Sequence, residues 1–148
     1  SQNWPNIFQM IGTDKFIQEY SLVAKVAAAS LMLLVIMLVL AQSREMSGEG
    51  IWYVGLVLSI LIPYVMPQMD ERAGLLSCVL YLLFAMKHPD LYYLAIIQVI
   101  ITYISFSAYF RGESVIPLSA AALAELFVLL LTIVRADHVW RAQREEAR

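Results

Sequence analysis

One carboxylate stands out as a group that could do chemistry. Glu125 lies near the middle of the apolar stretch Val115 to Val134 and is the only acidic side chain in the interior of any long hydrophobic run. At that depth in a bilayer a carboxylate is costly, so it must face protein or water rather than lipid. On the preceding run Gln98, Thr102, Ser105 and Tyr109 recur at i, i+4, i+7 and i+11, which lines them along one helix face. Ser119, Ala122 and Glu125 follow at i, i+3 and i+6, and Ala120, Ala121 and Ala124 keep that part of the helix thin. The spacing predicts that the two helices pack closely, with Glu125 meeting Gln98 or Thr102. A protonated Glu125 would donate to Gln98, whereas an ionised one would need Lys25 or water. The expected polar core is Glu125, Gln98, Thr102, Ser105 and Ser119. It suits a sensing or ion-responsive site, or helix–helix glue in which polar side chains bond across an interface without turnover.

Nothing else in the chain suggests catalysis. There is no Ser/His/Asp arrangement, Gly-rich phosphate loop, CxxC, HExxH or pair of carboxylates within one run. His88 sits beside Lys87 and Asp90, and His138 beside Asp137, with no Cys or second His at metal spacing from either. Cys78 lies within a hydrophobic run and reads as a packing residue. The frequent methionines are explained by adaptable packing. We expect no catalytic residue, no metal and no cofactor, and hence a protein that is not an enzyme.

The elements that must position these residues are membrane helices. Hydrophobic residues make up 61% of the 148-residue chain and charged residues 15%, against about 25% charged in a soluble domain. Mean hydropathy is +0.71, and the apolar residues cluster in long blocks. The net charge of −2 and the lack of a basic tract argue against a nucleic-acid partner. The runs are 22–41, 51–66, 73–86, 91–110 and 115–134, after an amphipathic leader over 1–20. The leader, with Trp4, Ile7, Phe8 and Ile11 among polar residues, reads either as an interfacial helix or as a partly ordered lead-in. The hydrophobic segment after it is too long, and its leader too poorly charged, for a cleavable signal peptide.

Within these runs, Ala24 and Ala28 form a small-xxx-small pair suited to close helix approach, and Ala121 and Ala124 are further helix-packing positions on the last run. Gly48 and Gly50 mark a turn, and Pro63 and Pro67 limit or kink the second run. The third run, at roughly 21 Å, is short for a hydrocarbon core of about 30 Å. It spans with local thinning, or else is re-entrant or partly embedded. The fold class is therefore all-α: a polytopic membrane helix bundle with four or five transmembrane helices and a helical cytoplasmic extension over 135–148.

That extension carries Arg135, Arg141, Arg144 and Arg148. The positive-inside rule puts it in the cytoplasm of a multi-pass cell (inner) membrane protein. With five spans the basic residues divide six inside (Arg44, Lys87 and the four arginines) against four outside (Lys15, Lys25, Arg72 and Arg111). With four spans the division is eight against two, so charge favours four spans and hydrophobicity five. Ile133, Ala136, Trp140, Gln143 and Ala147 follow an alternating three-four spacing that could face a partner helix.

Several short-looped membrane helices, the last running from Leu126–Val134 into the Arg/Glu-rich stretch Arg135 to Arg148, resemble the multi-span membrane sensor region of bacterial sensor histidine kinases. The resemblance is architectural. It implies a homodimer whose emerging helix leads to a kinase output, although no phosphoacceptor motif or ATP-binding domain occurs in this sequence. The implied mechanism is a ligand, lipid or thickness change that repacks the bundle and shifts or rotates the last helix. The alternative is a small accessory subunit of a larger respiratory, secretion or transport complex. A third reading, a small transporter using Glu125, has no inverted repeat behind it. The expected partners are the lipid bilayer and either a second copy or the subunits of a membrane complex.

Overall fold

The computed structural model describes residues 4–8, 21–42, 48–66, 69–70, 72–113 and 115–146. Among them there are five α-helices and no strand: α1 Ser21–Gln42, α2 Gly48–Val65, α3 Ala73–Lys87, α4 Tyr92–Arg111 and α5 Leu118–Glu146. Three stretches are long and apolar enough to cross a membrane: Gly48–Val65, Pro89–Arg111 and Leu118–Gln143. The apolar helices Leu22–Leu38 and Ala73–Lys87 are shorter.

The breaks between helices have local causes. α3 ends at His88, and Pro89 opens a single 3-10 turn, Pro89–Leu91, that hands the chain to α4. α4 ends at Gly112, whose φ of 73° is the left-handed conformation that glycine takes without strain. Its N–H bonds back to the Ala108 carbonyl. Pro117 precedes α5, and its carbonyl accepts from Ala120 and Ala121. Pro63 lies inside α2, which continues to Val65. Gly48 and Gly50 do not form the expected turn: α2 already begins at Gly48. The rest of that loop lies outside the described residues.

Four helices close into a ring in which α2 packs on α3, α3 on α4, α4 on α5 and α5 on α2, while α1 leans mainly on α2. Each ring helix buries one stripe. On α2 it is Tyr53, Leu56, Ile60 and Tyr64, and on α5 it is Ala122, Glu125, Val128, Leu129, Thr132 and Ala136. Both stripes follow the three-four spacing of a helix face. The opposite faces are apolar and exposed, as at Leu76, Val79 and Leu83 of α3 and Leu123, Phe127 and Leu130 of α5. A bundle with apolar groups on both its inner and outer faces is compatible with a lipid surround.

Hydroxyls on the helices bond to their own backbones. Ser30, Ser59, Ser107 and Thr102 each donate to a carbonyl three or four residues earlier. In a medium without water this satisfies the group locally.

Ala122 is completely buried, whereas Leu123 beside it is exposed. Ala122→Leu should overpack the α5 interface and destabilise the bundle by about 1–3 kcal/mol. Leu123→Ala should stay within about 0.5 kcal/mol. Unfolding in detergent, compared across the two variants, checks both.

Candidate functional site

Glu125 and Gln98 are both fully buried, and Gln98 Nε2 donates to Glu125 Oε1 at 3.2 Å. The same nitrogen donates to Ser77 Oγ at 2.8 Å. Ser77 in turn donates to the Gly74 carbonyl at 2.8 Å. One side-chain amide thus joins α3, α4 and α5 at a single level. Gln98 Oε1 and Glu125 Oε2 have no hydrogen-bond partner. Two turns further along α5, Thr132 donates to the Val128 carbonyl at 2.7 Å and forms a short hydrogen bond with the Tyr81 hydroxyl. α3, α4 and α5 therefore contribute to one polar interior.

The expected residues fall in different places. Gln98, Thr102 and Ser105 are buried on one face of α4, and Glu125 meets Gln98 from α5. Ser119 is exposed and stands apart from this cluster. At 100° per residue, six positions turn the helix by about 240°, so an i, i+6 pair does not share a face. Tyr109 is also exposed, stacked edge-on against Phe110. Lys25 is exposed on α1 and is not the partner of Glu125. Ala24 and Ala28 are buried on α1, Ala121 is buried, and Ala124 is partly buried.

Ser77, Tyr81 and Thr132 were not expected as polar partners. Ser77 and Tyr81 share a face of α3 at i and i+4, and Thr132 follows Glu125 at i+7. That spacing was a readable signal.

The expected interfacial helix over 1–20 is described only at residues 4–8, and there Trp4 is completely buried, with its ring against Gly74 of α3. The rest of that leader lies outside the described residues.

At the opposite end of the ring, α5 is tied to its neighbours. Arg135 pairs with Asp90 at 3.3 Å, Lys87 with Glu49 at 3.3 Å, and Trp140 Nε1 donates to the Gly50 carbonyl at 3.4 Å. His88 Nε2 stands 3.7 Å from Glu49, and its ring lies 4.6 Å from that of Phe84. Arg141 pairs within the helix with Asp137 at 2.7 Å. The side chain of Arg144 and all of Ala147 lie outside the described residues. Ala136 is fully buried and Trp140 partly so. This part of the three-four stripe is turned toward the chain's own bundle, where α5 packs on α2. Among the described residues no group of three His, Cys, Asp or Glu is placed to hold a metal.

Comparison with protein-family models, with curated proteins and with solved structures gives no match.

Gln98→Leu removes the hydrogen-bond donor of Glu125 and should cost about 1–3 kcal/mol, because a buried acceptor is left unmade. Gln98→Leu combined with Glu125→Leu removes both partners and should cost less than the two single changes added together. A double-mutant cycle of unfolding free energies in detergent tests this; additive costs would mean that the two side chains are not coupled.

Proposed function

We propose that the protein is a membrane-embedded sensor or regulatory domain that passes a change in its polar interior along α5 to its extramembrane end. The observation that carries this reading is the continuity of α5. One unbroken 29-residue helix holds Glu125 in the polar interior and Trp140 on the first turn of α2. Those two residues are separated by about 22 Å of helix. A stiff element spanning that distance gives a perturbation at Glu125 a mechanical route to the Arg135–Arg141 segment.

In this reading the Arg-rich end is cytoplasmic in a multi-pass cell membrane protein. The run of α3 through the ring, with Ser77 beside Gln98 and Tyr81 beside Thr132, supports five crossings and a six-against-four division of basic residues. If α5 signals between two copies, it does so through faces other than Ala136 and Trp140, which are occupied within the chain.

A second reading, an accessory subunit of a larger membrane complex, is favoured by α1. Leu22 and Leu31 are exposed on opposite sides of it, and a cleft of about 290 Å³ opens between it and α2 beside Ile133 and Trp140. Isolation from native membranes in stoichiometric complex with foreign chains would favour that reading.

The relay is tested by spin labels at Leu83→Cys and Ala142→Cys in a Cys78→Ser background, with the inter-label distance measured in bilayers. Glu125→Leu should move the distance distribution by about 1–2 Å or more, the scale of helix shifts in signalling proteins. Identical distributions for Glu125, Glu125→Gln and Glu125→Leu would overturn the relay.

A further inference from the structure

The indole of Trp4 occupies the space where a side chain at position 74 would stand. A Cβ built on Gly74 would lie 1.8 Å from Trp4 Cη2 and 1.9 Å from Cζ3. Gly74 is thus the residue that lets the N-terminal segment seat on the first turn of α3. Trp4 and Pro5 are fully buried there, and Asn6 turns the chain by accepting from the Phe8 N–H at 3.1 Å. One turn along α3, Ser77 bonds both to the Gly74 carbonyl and to Gln98, and Gln98 bonds to Glu125. The seated indole therefore lies one helical turn from Ser77, at the end of the ring away from Trp140.

Four buried polar side-chain atoms among the described residues have no hydrogen-bond partner: Trp4 Nε1, Gln98 Oε1, Glu125 Oε2 and His88 Nε2. Three of the four belong to this plug and the cluster beneath it. The plug buries a donor without an acceptor, and the cluster holds two acceptors without donors. Both costs are relieved when the segment lifts and water or another small donor arrives, because an unmade buried hydrogen bond is costly and a made one is not.

We propose that the segment Trp4–Phe8 is a displaceable plug closing an intramembrane acceptor site formed by Gln98 and Glu125, and that the site takes a small hydrogen-bond donor from the aqueous phase on the N-terminal side. Apolar burial of the indole holds the plug down. The unsatisfied polar atoms on both sides of the seam keep its closed state from being strongly favoured. The proposal supplies an input for the sensor reading and rests on it only for its purpose; the plug itself is a matter of access.

The test uses full-length protein in native membranes, with Ser77→Cys as the reporter in a Cys78→Ser background and a membrane-impermeant methanethiosulfonate as the probe. The thiol should react slowly when Trp4 is present. Trp4→Ala or Gly74→Val should accelerate it by about tenfold or more, as expected when modification follows the population of a locally opened state. A second measurement guards against misfolding of the thiol variant. With Trp52→Phe and Trp140→Phe, Trp4 is the only indole, and its fluorescence should be shielded from aqueous acrylamide until Gly74→Val exposes it. Fast modification with Trp4 in place, or rates and quenching unchanged by both variants, would overturn the plug. Neither result would touch the distance measurement on α5, so the plug and the relay fail separately.

Discussion

The hydrogen bonds from Gln98 to Ser77 and Glu125 are the constraint on which the bundle depends. In a medium without water a carboxylate and an amide have only each other and the nearby helices. Satisfying them fixes which faces of α3, α4 and α5 meet, and at what level. Once Gln98 is placed, Ser77 must stand opposite it on α3 and Glu125 on α5. The Tyr81–Thr132 contact follows at the next level, because both α3 and α5 advance in the same direction. Apolar packing alone would tolerate a sliding register, since lipid tails and leucine are equally apolar. The polar contacts remove that freedom.

Much of this was legible in the sequence because a helix stripe is a matter of arithmetic. Gln98, Thr102 and Ser105 repeat at helical spacing, and an acidic residue in an apolar run needs a partner, so the meeting of Gln98 with Glu125 could be read directly. Ser119 misled because an i, i+3, i+6 series drifts around the helix, and its hydroxyl ends on the exposed side. Ser77 taken alone is ambiguous, because a single serine in an apolar helix can bond to its own backbone, as Ser30 and Ser59 do. The three-four stripe over Ile133, Ala136 and Trp140 had two physically equal solutions, a partner helix or the chain's own α2. Periodicity says that a face is buried but not against what. Trp4 was illegible for a related reason: its burial depends on a missing side chain at Gly74, some 70 residues away.

The two ends of the ring are held by different forces. At the end where α5 leaves, Lys87–Glu49, Arg135–Asp90 and Trp140–Gly50 tie α2 to α3, the turn before α4 to α5, and α5 to α2. Each exposed pair is worth about 0–1 kcal/mol, so these contacts set alignment more than stability. At the other end Asp70, Arg72, Arg111 and Glu113 are exposed, and no ion pair joins helices there among the described residues. That end is closed by shape, through an indole resting on a glycine. A contact made by shape releases when one segment lifts, whereas a ring of paired charges yields only when helices move.

This asymmetry limits what kind of movement α5 can make. Its buried face carries Glu125 toward α4, Thr132 toward α3 and Trp140 toward α2, while Arg135 at its edge reaches Asp90. Turning the helix by one residue, about 100°, would replace Glu125 by Leu126 and Thr132 by Ile133 and break every one of these contacts together. An axial slide of an ångström or two would break them as well, because the Trp140–Gly50 bond at 3.4 Å and the Gln98–Glu125 bond at 3.2 Å already lie near the outer limit of a hydrogen bond. The contacts of α5 therefore hold both its rotation about the helix axis and its position along it.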